Sequence, residues 1–349
     1  MLKASFIKYP LTFKRPSGTS RGVLMDKESW LIKIFDSSND KIFGVGEVSI
    51  IPKLSIDQPD LIESKLDWVV SNIQEPYEFI LGELVDFPAI QMGLEMAFLD
   101  LKNGGERIWF RSPIIKQNTP IRINGLIWMG EPAFMLQQIE EKLKAGFTCL
   151  KMKIGAINFE SEMQILESIR NKYDEHELEI RVDANGAFTP SEALKNLERL
   201  SKLDIHSIEQ PIKQGQISAM TELCAKTPIP IALDEELIGI NIQDDKRKLL
   251  ETINPQYIIL KPSLLGGFNA TFEWIQMAGE MSIPWWITSA LESNLGLAAI
   301  AQFTSQFYNP LPQGLGTGQL YTNNITSPLT LKGEWLFSEV SNTWEIPQF

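Results

Sequence analysis

Lysines and carboxylates recur along the second half of this chain at a nearly constant interval. Lys153, Asp183, Glu209, Asp234 and Lys261 follow one another with gaps of 30, 26, 25 and 27 residues, and Ser289 lies 28 further on. Lys151 stands two residues before Lys153, so on a strand the two side chains share a face. Each gap has the length of one strand, one helix and their loops. That spacing sets every polar residue at the same end of successive parallel strands, around one cavity. An isolated Lys-x-Lys is usually a solvated edge, and an isolated Asp at a strand end is usually a cap or turn former. Five consecutive strand ends carrying Lys, Asp, Glu, Asp and Lys are not explained that way.

Three carboxylates converging in a partly buried mouth cannot all stay ionised without a cation. Oxygen ligands from Asp183, Glu209 and Asp234 suit a hard divalent ion: Mg²⁺, with Mn²⁺ as a substitute. Zinc is disfavoured, because His176 and His206 are the only histidines and neither has ligand spacing. The same scarcity removes most Ser-His and Cys-His mechanisms. Lys151 and Lys153 flank the carboxylates on one side and Lys261 on the other. Ammonium groups crowded beside a dication lower a lysine pKa and yield a neutral amine near pH 7. Such an amine can take the proton next to a substrate carboxylate, with the cation and the opposite lysine stabilising the enediolate. The expected ligand is a small carboxylate.

The elements that must position this ring are legible as a change of pattern. The first hundred residues give extended runs at Ser5–Leu11, Trp30–Phe35 and Ile42–Val48, then helical patterns at Leu61–Asn72 and Pro88–Asn103. This is an α+β unit over 1–115, ended by the polar, proline-containing linker Arg111–Pro120. From 116 to 319, strands and helices alternate. Strand candidates are Ile121–Gly125, Thr148–Lys153, Glu179–Asp183, His206–Glu209, Ile231–Asp234, Tyr257–Lys261, Trp285–Ser289 and Gln313–Thr317. Helical patterns are clearest at Pro132–Ala145, Phe159–Lys172, Pro190–Lys202, Phe268–Met281 and Leu295–Gln306. Eight strands alternating with helices predict an α/β fold of the (β/α)8 TIM type. No G-x-G-x-x-G follows the early strands, which disfavours an open doubly wound sheet. The tail 320–349 is expected to pack back on the N-terminal unit.

Bulk properties narrow the class. At 349 residues with 44% apolar and 22% charged residues, the chain reads as ordinary globular protein with a large core. A net charge of -12 argues against nucleic acid or an anionic membrane as partner. Cys149 and Cys224, with no signal-peptide pattern before Pro16 and no apolar run near 18 residues, predict reduced thiols in a cytoplasmic protein without a transmembrane helix. An oligomer is compatible with all of this.

Lys151-Met-Lys153, Asp183-Ala-Asn185-Gly186, Ile208-Glu209-Gln210-Pro211, Asp234-Glu235 and Lys261-Pro262 together resemble the enolase superfamily, in its muconate-lactonizing-enzyme subgroup. The resemblance covers nearly the whole chain. It implies a (β/α)7β variant of the barrel, an α+β capping domain, and a lysine base with Mg²⁺. It also implies supporting places beside the metal for Asn185 and Glu235. Within the subgroup, Gly44-Val-Gly-Glu47, Pro52-Lys-Leu-Ser55 and Ser289-Ala-Leu-Glu-Ser293-Asn-Leu-Gly296 resemble the o-succinylbenzoate synthase family. That likeness implies dehydration of a succinyl-hydroxycyclohexadiene carboxylate in menaquinone biosynthesis. Lys153 would be base and then acid, Lys261 the stabiliser of the enediolate, and Lys151 a group that tunes Lys153. Ser289 and Ser293 would bind the succinyl arm. The polar stretch Arg15–Gly22 resembles a lid over the barrel mouth, with Arg21 as its substrate contact, and the loop Glu47–Ser55 is the other specificity element.

Rival readings share parts of this machinery. N-acylamino-acid racemisation or dipeptide epimerisation would use the same ring. The second is disfavoured because Ser289-Ala-Leu stands where dipeptide epimerases carry Asp-x-Asp. A barrel that merely binds a small acid would have no use for the full set of lysines and carboxylates.

Overall fold

The computed structural model describes residues 1–19, 22–155, 158–339 and 343–349. The chain opens with strands β1 (Leu2–Lys8), β2 (Leu11–Thr19), β3 (Gly22–Lys27), β4 (Ser29–Asp36) and β5 (Asn39–Ser49). β1, β4 and β5 form an antiparallel sheet in that order, while β2 and β3 form a separate hairpin. The stretch read from sequence as a polar loop is thus largely strand. Ser17 pairs with Leu24 and Gly18 with Val23. Arg21 lies outside the described residues.

The helix Pro88–Lys102 lies across β5. Ile90, Leu94 and Ala97, at helical spacing, are all buried against the sheet's Ile32, Ile34 and Val48. Backbones approach closely here because of glycine. A Cβ on Gly44 would strike the Ala97 carbonyl, and one on Gly46 the Gly93 carbonyl. Pro88 begins the helix, where its missing N–H costs nothing. The buried Asp57 carboxylate accepts from the Ala89 N–H at 3.1 Å.

Strand β6 (Ile121–Arg122) precedes the parallel strands β7 (Gly125–Ile127), β8 (Cys149–Lys153), β9 (Glu179–Asp183), β10 (Ser207–Glu209), β11 (Ile231–Leu233), β12 (Tyr257–Leu260) and β13 (Trp285–Ile287). β7 to β13 make one seven-stranded parallel sheet in sequence order. The expected eighth strand is a short bridging segment. Gln313 bridges Ile123 and Gly314 bridges Thr288, both in parallel sense. Its backbone bonds run to both sides: Asn124 N–H to the Gln313 carbonyl at 3.0 Å, and Gly314 N–H to the Ile287 carbonyl at 2.8 Å. The barrel therefore closes as (β/α)7β.

Helices between the strands begin where sequence chemistry starts them. Asn158 caps Phe159–Arg170 by accepting from the Glu160 N–H at 2.8 Å. Thr189 and Glu192 form a reciprocal box ahead of Pro190–Leu200. Two helices absent from the sequence reading, Ile217–Lys226 and Gln243–Ile253, fill the remaining crossovers.

The tail divides. Leu320 and Asn323 bind β2 through the Lys14 N–H at 2.8 Å and the Thr12 N–H at 2.9 Å. Beyond them, β14 (Leu329–Lys332) and β15 (Trp335–Ser338) form a hairpin whose second strand pairs antiparallel with β6, just ahead of the barrel's first strand. Glu334, at the turn, accepts from Arg122 Nε at 2.8 Å and from the Thr148 N–H at 2.9 Å. No helix among the described residues is long and apolar enough to cross a membrane.

Candidate active site

The register of the parallel sheet sets the chemistry. Lys153 pairs with Asp183, and Asp183 with Glu209, across three neighbouring strands. Asp234 immediately follows β11, and Lys261 immediately follows β12. Side chains alternate along a strand, so Lys151 and Lys153 both enter the interior. All three carboxylates are buried, as are Lys151 and Lys261.

The lysines and carboxylates meet as ion pairs. Lys151 Nζ lies 3.0 Å from Asp183 and also donates to Glu209. Lys153 Nζ donates to Asp183 at 2.9 Å and to Asn185 Oδ1 at 2.7 Å. Lys261 donates to Asp234. Asn185 in turn reaches Glu235 Oε1 through its amide nitrogen at 3.0 Å. Its backbone adopts a left-handed conformation with φ 44°, which asparagine tolerates better than most residues. The six predicted groups and their two supporting residues are thus brought together.

Electrostatics follow from this pairing. Burial would lower the Lys151 pKa, but Asp183, Glu209 and Asp234 outweigh it and the net shift is upward. Lys261 is likewise drawn down by burial, yet Asp234 and Glu235 hold it above its ordinary value. Asp183 is pushed up by burial but held well below the usual carboxylate range by Lys151, Lys153 and Lys261. Glu209 moves the other way, to about 8, because burial dominates and Asp183 and Asp234 add to it.

Whether these residues suit a divalent cation is tested by what they leave unsatisfied. Glu209 Oε1 is buried with no hydrogen-bond partner among the described residues. The donor set is all oxygen, drawn from three successive strands, which matches a hard ion. Among the described residues, no three acidic groups are placed as a closed ion cage, since ammonium groups lie between them. Asp183, Glu209 and Asp234 fit the role of ligands in charge, donor type and order.

A supporting residue escaped the sequence reading. Gln210, with φ 36°, accepts from the Asp234 N–H at 3.2 Å and donates to Glu236 at 2.9 Å. It fastens the end of β10 to the end of β11 and so fixes Glu209 relative to Asp234. The motif Glu209-Gln-Pro211 contained the signal, but only its carboxylate had an evident use.

Lys151, Lys153, Asn185 and Lys261 face a cavity of about 320 Å³. Its apolar side includes Leu24 of the hairpin, Ile51 and Leu54 of the cap, and Leu126, Trp128 and Leu291 of the barrel. Of the loop expected to set specificity, 47–55, residues 51–54 line it. Ser289 lines it too, with its hydroxyl 2.6 Å from that of Thr317. Ser293, expected on the substrate, does not line the cavity. It is fully buried, its hydroxyl donates to Glu47 at 2.6 Å and its N–H to the same carboxylate at 2.8 Å. Asn124 and Thr288 line the cavity and were not singled out from sequence.

Comparison with known proteins agrees with this geometry. The family model described as enolase C-terminal domain-like matches residues 135–334. An o-succinylbenzoate synthase from Desulfotalea psychrophila is 48% identical, over 95% of this chain and 98% of that one. The crystal structure of MenC from the same organism superposes with a TM-score of 0.86 at 45% identity, covering 96% of this chain and 99% of the other. A dipeptide epimerase from Enterococcus faecalis, solved with Mg and a dipeptide, shares the fold at a TM-score of 0.85 and 19% identity, over 98% of each chain. A matched domain spanning more than half the residues, and 48% identity over 95% of the chain with an o-succinylbenzoate synthase, leave no room for an unrelated barrel: the chain belongs to the enolase superfamily.

Proposed function

We propose that the chain is an o-succinylbenzoate synthase, a carbon–oxygen lyase that dehydrates 2-succinyl-6-hydroxy-2,4-cyclohexadiene-1-carboxylate to 2-succinylbenzoate in menaquinone biosynthesis. The observation that carries this reading is the 48% identity, over almost the full length of both chains, to a protein of that activity. The site chemistry supports it independently. Two lysine-bearing strand ends, β8 and β12, face one cavity, with the acidic strand ends between them.

Asp183, Glu209 and Asp234 would hold Mg²⁺. When bound, the ion supplies Lewis-acid stabilisation of negative charge on the substrate carboxylate. Lys153 is the most exposed of the three lysines and is held by Asn185 at the cavity side. As a free amine it takes the ring proton next to the carboxylate. As an ammonium it then protonates the departing hydroxyl. Lys261, from the opposite flank, holds a fixed positive charge toward the enediolate. Lys151, gripped by two carboxylates, stays charged beside Lys153. The apolar walls receive the ring and exclude water.

The test is an assay of the diene acid beside N-succinylamino acids and dipeptides, with and without Mg²⁺. Mg²⁺-dependent appearance of 2-succinylbenzoate is the expected outcome. Brisk racemisation of N-succinylamino acids with no turnover of the diene acid would overturn the reading.

A further inference from the structure

Among the described residues, the cap contributes one cation to the wall of the active-site cavity. Lys53 lines it together with Lys151, Lys153 and Lys261, and it alone of these lies outside the strand ends of the barrel. Its backbone is unusual. The Leu54 N–H donates to the Ile51 carbonyl at 3.1 Å, closing a turn with Pro52 and Lys53 at its centre. Proline fixes a negative φ at the first central position, and Lys53 has φ 66° at the second. That is the type II arrangement, whose second central position favours glycine because an L side chain is strained there. The turn is also tied at its base. The Ile51 N–H donates to the Ser55 hydroxyl at 2.9 Å, and the Ser55 N–H to the Ile51 carbonyl at 3.0 Å. A lysine thus stands on a tied turn where glycine would cost less, and residues kept in such conformations concentrate at binding sites.

The substrate named above carries two carboxylates. The ring carboxylate belongs with the cation site, Lys153 and Lys261. The other ends the succinyl arm, away from the ring, and needs a counter-charge of its own. The three strand-end lysines are matched by Asp183, Glu209 and Asp234. Ser289 and Thr317 are neutral and share a bond of 2.6 Å. The described lining residues include no Asp or Glu, so Lys53 adds net positive charge to the wall.

Resting on the synthase reading, we propose that the Lys53 ammonium binds the terminal carboxylate of the succinyl arm and so selects ligands that carry one. The turn fixes the position of the lysine's Cα, and the long side chain spans the remaining distance. Lys53 is exposed, so its charge keeps its hydration until a ligand arrives. The pairing strengthens as the arm displaces water from the apolar wall that Ile51 and Leu54 supply on either side of the turn. The reaction takes place on the ring, and the arm's carboxylate is the same in substrate and product. Lys53 therefore acts alike on substrate, transition state and product, and is a substrate-binding residue rather than a catalytic one. N-succinylamino acids carry the same arm, so Lys53 selects the arm and leaves recognition of the ring to the other walls.

The experiment compares wild type, Lys53→Gly and Lys53→Arg in the presence of Mg²⁺. Lys53→Gly removes the charge at a position where glycine relaxes the turn, so a loss is not traceable to a broken loop. Two things are read: kcat and KM for the diene acid, and affinity by calorimetry for 2-succinylbenzoate and for its analogue whose arm ends in a carboxamide. For Lys53→Gly we expect KM to rise, and affinity for 2-succinylbenzoate to fall, by roughly tenfold, with the loss in KM rather than in kcat. Wild type should bind the carboxamide more weakly than 2-succinylbenzoate by a similar factor, and Lys53→Gly should bind the carboxamide as wild type does. Lys53→Arg, which keeps the charge, should retain most of the affinity. The proposal is overturned if Lys53→Gly weakens both ligands equally, if wild type does not distinguish them, if kcat falls with KM unmoved, if Lys53→Arg behaves as Lys53→Gly, or if nothing changes. A wild-type protein that makes no 2-succinylbenzoate, yet prefers the carboxylate arm through Lys53, removes the synthase reading alone. Wild-type turnover with an indifferent Lys53→Gly removes only the role of Lys53.

Discussion

Lysine and carboxylate at this site have meaning only as a set. Lys153 touches Asp183 and Asn185, so its amine is poised between the acidic strand ends and the cavity. Replacing Lys153 with Ala is expected to lower turnover of the diene acid by at least roughly a hundredfold while Mg²⁺ binding, measured by calorimetry, persists. Activity near wild type in that variant would take lysine out of the proton transfer. Asp234→Asn keeps the shape of the side chain and the backbone bond to Gln210, but removes one of the three proposed ligand charges. Mg²⁺ affinity and rate should fall together, the affinity by at least about tenfold. An unchanged metal titration would mean that Asp234 serves only as the counterion of Lys261.

Between elements, the cap and the barrel are joined by a buried carboxylate. Glu47, at the end of β5, accepts from the N–H and hydroxyl of Ser293 and from the Gly296 N–H at 2.9 Å. Those donors open the helix Asn294–Thr304, just past the 289–291 segment that lines the cavity. Glu47→Ala leaves them unpaired in a buried place, and destabilisation by about 1–3 kcal/mol in urea unfolding is expected. KM should rise with it, because one cavity wall loses its anchor; stability lost with KM unmoved would confine Glu47 to the interface. This link also shows where sequence reasoning reached its limit. The strand ends were legible because one β-α period repeats, and a period is a local property. The family resemblance implies a substrate contact for Ser293, while its partner in the structure is Glu47, 246 residues away. The stretch from Arg15 reads as loop because its residues are polar, yet Ser17, Gly18 and Thr19 pair with Leu24, Val23 and Gly22 of β3.

For the whole molecule, the buried capping-domain carboxylates tie stability to pH. Burial pushes the Asp57 pKa from 3.8 to about 7, with the Ala89 N–H only partly opposing it. The folded state therefore keeps its proton while the unfolded chain loses one. Stability from this group is full below about pH 3.8 and declines as pH rises toward 7. Asp57→Asn keeps the carbonyl that caps Ala89 and removes the ionisation. The urea midpoint of the variant should gain on wild type between pH 5 and pH 8, and a constant difference over that range would contradict the shift. At the same scale, the cap and the barrel exist to surround one small cavity, and the account stands on what that cavity holds. The most direct measurement is a crystal structure with Mg²⁺ and 2-succinylbenzoate. We expect one ion on Asp183, Glu209 and Asp234, with the aromatic carboxylate between Lys153 and Lys261. An ion seated elsewhere, or a product bound away from both lysines, would contradict it.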